Sequence, residues 1–110
     1  MGRYITTTGT SGFTLRTVTT TFSASVNDRI LATSAGGAFT ITLPATASLL
    51  ENDMIQIIDV GGVAQTYNIT IARNGSLIQG VADDLVLDLN NATITLIYTG
   101  ATYGWVYTAA

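Results

Sequence analysis

The stretch "AGGAFTITLPATA", residues 35–47, decides the fold. Two glycines precede a strict alternation of large apolar residues with threonine, and this alternation ends at Pro44, the only proline of the chain. Successive side chains of a strand point to opposite faces, so the apolar residues that begin at Phe39 are predicted to face a core. Thr40 and Thr42 are predicted to face outward, on a surface that carries hydroxyl groups and no charge.

Similar alternation recurs along the whole chain, with β-branched residues in the apolar runs and turn-forming residues between them. The sequence therefore predicts an all-β fold, a small antiparallel sandwich or jelly-roll-like barrel. The predicted strands are Arg3–Thr8, Phe13–Thr21, Arg29–Thr33, Phe39–Leu43, Met54–Val60, Tyr67–Ala72, Leu85–Leu89, Thr93–Tyr98 and Trp105–Thr108.

Two asparagine-containing turns predict hairpins. Asn74–Gly75 suits a two-residue turn that needs positive φ, and it would fold "YNITIAR" back onto "SLIQG". Asn90–Asn91 would do the same between "LVLDL" and "TITLIYT". One helical turn is expected around Ala47–Asn52, which follows the proline.

The chain has 110 residues, which suits one domain. Residues 1–21 are rich in threonine and poor in large apolar residues, and they differ in this from residues 22–110. Residues 1–21 form either the first strands of the sandwich or an extended arm that adds a strand to a neighbouring chain. We expect an arm over 1–21 and a β-sandwich domain over 22–110.

Composition excludes several classes of function. The chain has no cysteine, histidine or lysine, which excludes disulfides, Cys/His zinc sites and nucleophiles activated by histidine or lysine. A net charge of −3 leaves no basic patch for nucleic acid. No apolar run is long enough for a membrane helix, and the N-terminus lacks the apolar core of a secretory signal.

Enzymatic carboxylate chemistry is not expected either. Asp83 and Asp84 are adjacent, so they point to opposite faces of an extended chain and do not form a catalytic pair. The same turn is a weak calcium candidate, because no EF-hand spacing accompanies it. We expect no enzyme activity, no cofactor and no metal site.

The low charge points to an oligomer. Only 10% of the residues are charged, so threonine, serine, asparagine and glycine must form most of the surface. Such a surface repels other copies weakly, and neighbouring subunits often cover part of it. Four aromatic residues near the C-terminus would form either a sugar-stacking platform or core and inter-subunit packing. They are Tyr98, Tyr103, Trp105 and Tyr107.

Several segments resemble a β-module found in bacteriophage tail fibres and other virion proteins. The segments are "NDRILATSAGGAFTITLPATA" (27–47) and "YNITIARNGSLIQGVADDLVLDLNNATITLIYTGATYGWVY" (67–107). "ITIARNGSLIQG" and "ADDLVLDL" are the most specific pieces, because their ordered glycines and aspartates rarely recur by chance. The resemblance implies a phage structural module that is commonly trimeric, and it does not fix which part of the virion carries the module.

Three roles compete under that resemblance, and the carboxylate geometry argues against one of them, a glycan-degrading tailspike enzyme. In the first, the chain is a capsid decoration (cement) protein, a homotrimer on the outside of the head that contacts the major capsid protein. The expected capsid or subunit contacts are Arg3, Tyr4, Phe13, Arg16, Thr40 and Thr42. In the alternative role, the chain is a tail-fibre module that binds host cell-surface glycan through the C-terminal aromatic residues. The short chain favours the first role, because it leaves little room for a fibre shaft.

Overall fold

The structure is a computed structural model, and it describes residues 12–109. These residues form nine strands and one 3₁₀ turn, which confirms the all-β prediction. The strands are β1 (Thr14–Val18), β2 (Phe22–Ser23), β3 (Asp28–Ala32), β4 (Phe39–Thr42), β5 (Met54–Asp59), β6 (Ile69–Ala72), β7 (Leu85–Leu87), β8 (Thr93–Tyr98) and β9 (Trp105–Ala109). The 3₁₀ turn is Thr46–Ser48, close to the helical turn expected around Ala47–Asn52.

The strands form two sheets. The larger has the order β1-β3-β5-β8-β9 and the smaller the order β2-β4-β6-β7. From β1 to β6 the chain alternates between the sheets, so these six strands make a coil of three turns in which all neighbours are parallel. β7, β8 and β9 then add to the coil as antiparallel strands.

The two-sheet arrangement is as predicted, but the prediction of antiparallel pairing is wrong for β1–β6. Parallel neighbours need a crossover connection, and the usual crossover is a long segment that contains a helix. Here the crossover is a strand of the opposite sheet: β2 connects β1 to β3, and β4 connects β3 to β5. The alternation pattern gives no sign of this, because a strand alternates in the same way whichever direction its neighbour runs.

The core lies between the sheets and is built from isoleucines in register. Ile30 pairs with Ile57, and Ile57 pairs with Ile94, across the larger sheet. Ile41 pairs with Ile71 across the smaller one. All five side chains are buried, and each contributes about 2 kcal/mol of apolar transfer free energy to folding. β-branched side chains suit these positions because they pack well against same-face neighbours on a pleated sheet.

The Asn74–Gly75 turn is present, but the hairpin predicted around it is wrong in its partner. Both residues have positive φ, 50° and 95°. The strand that pairs with β6 is β7, whereas the segment after the turn crosses to the other sheet, where Ile78 bridges to Trp105. The turn residues determine the local reversal of the chain, and the burial of Ile78 determines where the chain goes next.

The second predicted hairpin, at Asn90–Asn91, is also wrong. β7 belongs to the smaller sheet and β8 to the larger one, so the connection between them crosses from sheet to sheet. The buried carboxylate of Asp59 organises this crossing. It accepts hydrogen bonds from the backbone N–H groups of Gly62, Ala64 and Asn91 at 3.0–3.1 Å, and so holds two loops at the end of β5.

Part of the range 1–21 lies in the larger sheet. β1 pairs in parallel with β3, and the N–H of Thr14 donates to the carbonyl of Asn27 at 2.8 Å. The predicted strand Arg3–Thr8 lies outside the described residues. β2 was missed by the sequence analysis because two residues are too few for an alternation pattern. In the described part of the chain, no helix has the length and apolar character needed to cross a membrane.

Candidate interaction surfaces

The outer face of the larger sheet is the broadest surface that the strands create. Its three central strands place partly exposed apolar side chains there, namely Leu31, Met54, Ile58 and Ile97. These residues alternate with buried core residues along β3, β5 and β8. Within residues 12–109 there is no third sheet or helix to cover this face.

A polar ladder crosses the same face. The guanidinium of Arg29 lies 4.5 Å from the ring centroid of Phe13, which is a cation–π contact. Its Nε donates to Oε1 of Gln56 at 2.7 Å, and Nε2 of Gln56 donates to the hydroxyl of Thr95 at 3.2 Å. Parallel register brings Arg29 and Gln56 side by side. The ladder fixes the arginine side chain on a face that is otherwise apolar or hydroxylated.

The sequence analysis did not identify Arg29 or Gln56 as contact residues. A partial signal exists in the sequence, because both residues occupy outward positions in the alternating runs "DRILA" and "MIQIID". The contact between them depends on a parallel register that joins residues 27 apart in the chain. Nothing local in the sequence encodes that register.

Of the predicted contact residues near the N-terminus, Arg3 and Tyr4 lie outside the described residues. Phe13 contacts Arg29 as described. Arg16 forms an ion pair with the buried Asp28, with Nε 3.2 Å from Oδ1. Asp28 also accepts the backbone N–H of Ser25 at 2.8 Å. Arg16 therefore contacts this chain's own core, although almost half of its side chain is exposed.

The threonines of the opening stretch lie where the alternation predicts. Phe39, Ile41 and Leu43 are buried, and Thr40 and Thr42 face outward from the smaller sheet. Parallel register continues this outer face along its neighbour, where Thr40 pairs with Thr70 and Thr42 with Ala72. The result is a surface of hydroxyl and methyl groups.

The four C-terminal aromatic residues do not form one platform. Trp105 is 0% exposed, and its ring meets that of Tyr98 edge to face with centroids 5.5 Å apart. Tyr107 is partly buried, and Tyr103 is 61% exposed in the turn between β8 and β9. A buried indole offers no face to a sugar. Tyr103 is therefore the one member of the four whose ring is largely free to contact a ligand.

An apolar cleft lies between the edge strands β7 and β9, where the two sheets separate. Its volume is about 170 Å³. It is lined by Leu85, Val86, Leu87, Asp88, Leu89, Ala92, Ile94, Tyr107 and Ala109. A second cleft of similar volume adjoins it, shares Leu85 and Tyr107, and brings in Asp83 and Asp84. Every charged residue lining either cleft is an aspartate.

No described cluster of side chains suggests metal chemistry. Among residues 12–109, no three acidic side chains lie close enough together to hold a metal ion. The two buried carboxylates, Asp28 and Asp59, are occupied by backbone N–H groups and by Arg16. They position loops and strand ends. Neither carboxylate is therefore free to bind a ligand.

The chain was compared with protein family models and with curated protein sequences. No protein family model matches the chain, and a search of curated proteins finds no similar sequence.

Proposed function

We propose that the chain is a structural protein of a bacteriophage particle, a capsid decoration protein that binds the assembled head as a homotrimer and stabilises it. The observation that carries this proposal is the outer face of the larger sheet. Partly exposed Leu31, Met54, Ile58 and Ile97 lie on this face, and apolar side chains grouped on an exposed face often mark a contact with another protein. One face packs on the core, and an assembled neighbour would cover the other.

The outer faces of both sheets carry few charges, which favours contact with other subunits. The outer face of the smaller sheet carries Thr40, Thr42, Thr70 and Ala72, none of which repels a neighbouring surface. The outer face of the larger sheet carries one charged residue among its strands β3, β5 and β8, and this is Arg29. A protein that works by shared surface needs this kind of weakly charged, well-ordered face.

The resemblance of residues 27–107 to the phage β-module supports a place in the virion. The segment 69–80, one of the most specific pieces, forms β6, the Asn74–Gly75 turn and the crossing to β9. The strand, the turn and the crossing within 69–80 organise the fold, and none of them holds a side chain suited to catalysis. A structural role therefore accounts for them without any catalytic site.

Cement proteins act by mass action. A protein that binds the assembled shell and not the separate capsid subunits shifts the equilibrium toward the shell. A trimer makes three such contacts at once, so weak individual contacts give high overall affinity. Three-fold symmetry also suits the positions where capsomers meet. In this proposal the threonine face and residues 1–11 contact the major capsid protein.

The direct test is binding to heads of the phage that encodes the chain, prepared without it. We expect the purified protein to cosediment with heads at a copy number that scales with the number of capsomers, and to raise the temperature at which the heads release DNA. Binding to tails alone would favour the tail-fibre role. Binding to neither would overturn the proposal.

The contribution of the N-terminal residues is tested separately. Removing residues 1–11 leaves every described strand intact, because β1 begins at Thr14. We expect head binding to fall while the oligomeric state is unchanged. The full-length variant Arg3→Ala/Tyr4→Ala should show the same loss, and Thr6→Ala/Thr7→Ala in the same segment serves as its matched control. Undiminished binding of the shortened chain would remove residues 1–11 from the proposed contact.

One observation favours the tail-fibre alternative. Tyr103 is largely exposed in the β8–β9 turn, where its ring could stack on a sugar. If the chain binds host glycan, Tyr103→Ala should abolish binding on an array of host-surface polysaccharides. Tyr67→Ala is the matched control, because Tyr67 is an exposed tyrosine in a different loop. Equal glycan binding by both variants and the wild type would exclude Tyr103 as the contact.

A further inference from the structure

The two edges of the larger sheet carry complementary surfaces. At one edge, Leu15 of β1 is 62% exposed and lies beside Arg29 of β3 in the parallel register. At the other edge, the apolar cleft between β7 and β9 has Asp88 in its wall. One surface offers an apolar side chain next to a cation. The other offers an apolar cavity next to a carboxylate.

The sizes of the side chain and the cleft agree. An apolar cavity of roughly 150 Å³ holds a group the size of benzene. The cleft of about 170 Å³ therefore has room for a leucine side chain. Leu85, Leu87 and Ile94 would surround that side chain with apolar contacts. Such a contact would remove the exposed Leu15 side chain from water.

The charges agree as well. An arginine guanidinium has five N–H donors, and Arg29 uses its Nε–H for Gln56. The remaining donors suit a carboxylate, with which arginine forms two-point hydrogen bonds. Phe13 and Gln56 hold the guanidinium in place before any partner arrives. Asp88 has no arginine among the residues that line its cleft.

A single copy cannot bring these surfaces together. β1 and β9 are the opposite edges of a five-stranded sheet, about 19 Å apart at a strand spacing of about 4.8 Å. The contact must therefore join two copies, and it must be heterologous because two different surfaces meet. Heterologous contacts close into rings when the rotation between copies allows it.

We propose that Leu15 and Arg29 of one copy dock into the β7–β9 cleft of the next copy, with Leu15 in the cleft and Arg29 paired to Asp88. Three such contacts close the ring of the homotrimer. This inference rests on the trimer of the proposed function and names its interface. It makes no use of the threonine face, which stays free for another partner.

A charge exchange tests the inference, with molar mass measured by light scattering on the full-length chain. Arg29→Asp places like charges at every contact, and so does Asp88→Arg, so each variant should dissociate to monomer at concentrations where the wild type is a trimer. The double variant restores opposite charges and should restore the trimer. Glu51→Arg is the matched control for Asp88→Arg, because it makes the same charge change at an exposed residue that lies outside both clefts.

Leu15→Ala tests the apolar half of the contact. It should weaken the trimer at least about tenfold in dissociation constant, because the alanine gives up most of the apolar area that the leucine buries in the cleft. Leu50→Ala is its control, because Leu50 is 74% exposed in the loop that follows the 3₁₀ turn, away from β1. Circular dichroism of every variant checks that the fold is retained.

The possible outcomes distinguish this inference from the function on which it rests. A trimer that both charge variants leave intact, or a double variant that stays monomeric, overturns the inference and leaves the decoration role standing. A wild-type chain that is monomeric overturns the inference and the proposed homotrimer together. Loss of the trimer in both single variants, with recovery in the double variant, supports the inference.

Discussion

The two ends of the three-turn coil differ in how their strand edges are covered. At one end, β8 pairs with β5 along five residues and β9 pairs with β8 along five more, so the last coil strand of the larger sheet is enclosed. At the other end, four of the five residues of β1 are exposed, and no described strand pairs with its outer edge. The enclosed end stabilises the fold, and in the proposed trimer its β7–β9 cleft receives the exposed side chains from the open end of the next copy.

The same difference appears in the two buried carboxylates. Asp59 is the last residue of β5, the strand at the enclosed end of the coil, and its carboxylate accepts hydrogen bonds from three backbone N–H groups. Asp28, at the start of β3 near the open end, is held by the N–H of Ser25 and by the partly exposed Arg16. Contacts to backbone within the fold are rigid, whereas a contact to a long surface side chain is adjustable. Substitutions at the enclosed end should therefore lower the free energy of unfolding more than substitutions at the open end.

The largest effect is expected at the enclosed end, from Trp105→Ala. The indole is completely buried against Tyr98, and truncation leaves a large cavity. We expect a loss of about 4 kcal/mol in the free energy of unfolding, measured by urea denaturation with circular dichroism. Trp105→Phe should recover much of it by refilling the cavity. A loss below about 1 kcal/mol for Trp105→Ala would mean that this end is not the stable one.

The next largest effect is expected from Asp59→Ala, which should lower the free energy of unfolding by about 3 kcal/mol because it leaves three backbone N–H groups without their acceptor. Asp53→Ala is the control. Asp53 accepts one hydrogen bond, from the N–H of Leu50, at an exposed position, and its removal should cost less than about 1 kcal/mol. Equal losses for the two variants in urea denaturation would contradict the role assigned to Asp59.

At the open end, Arg16→Ala should cost about 1 kcal/mol, because Asp28 loses its ion pair but keeps the N–H of Ser25. Thr17→Ala, in the same strand and facing the opposite side, is the control with an expected change within about 0.5 kcal/mol. Thermal unfolding at low and high salt measures both variants. A cost for Arg16→Ala as large as that for Asp59→Ala would remove the distinction between the ends.

The smallest effect is expected on the threonine face. Thr40→Ala and Thr42→Ala should each change the free energy of unfolding by less than about 0.5 kcal/mol, since both side chains point outward. Ile41→Ala, the buried residue between them, should cost about 3 kcal/mol. If the threonine face contacts a capsid, the two threonine variants will lower head affinity despite their unchanged stability.

Much of the fold follows from the sequence, because alternation is a local property. The predicted strand Thr93–Tyr98 matches β8 in both bounds, and Met54–Val60 differs from β5 by one residue. Strand partners do not follow in the same way. The sequence predicted hairpins at Asn74–Gly75 and Asn90–Asn91, but the chain at each point crosses to the other sheet to bury Ile78 or to reach Asp59.

For the interaction surfaces too, features encoded in one segment were predictable and contacts between distant strands were not. The outward position of Thr40 and Thr42 follows from one segment of the chain. The ladder from Arg29 to Gln56 needs a parallel register between distant strands, and the cleft needs the separation of β7 from β9. Burial of Trp105 was one of two open alternatives, because an exposed aromatic residue in a C-terminal strand can stack on a sugar and a buried one can close the core.

We propose that this protein keeps part of its surface for other copies of itself, and the molar mass of the wild-type chain in solution measures that association. Multi-angle light scattering across a range of micromolar concentrations should give the mass of three chains. A single-chain mass throughout that range would contradict the account.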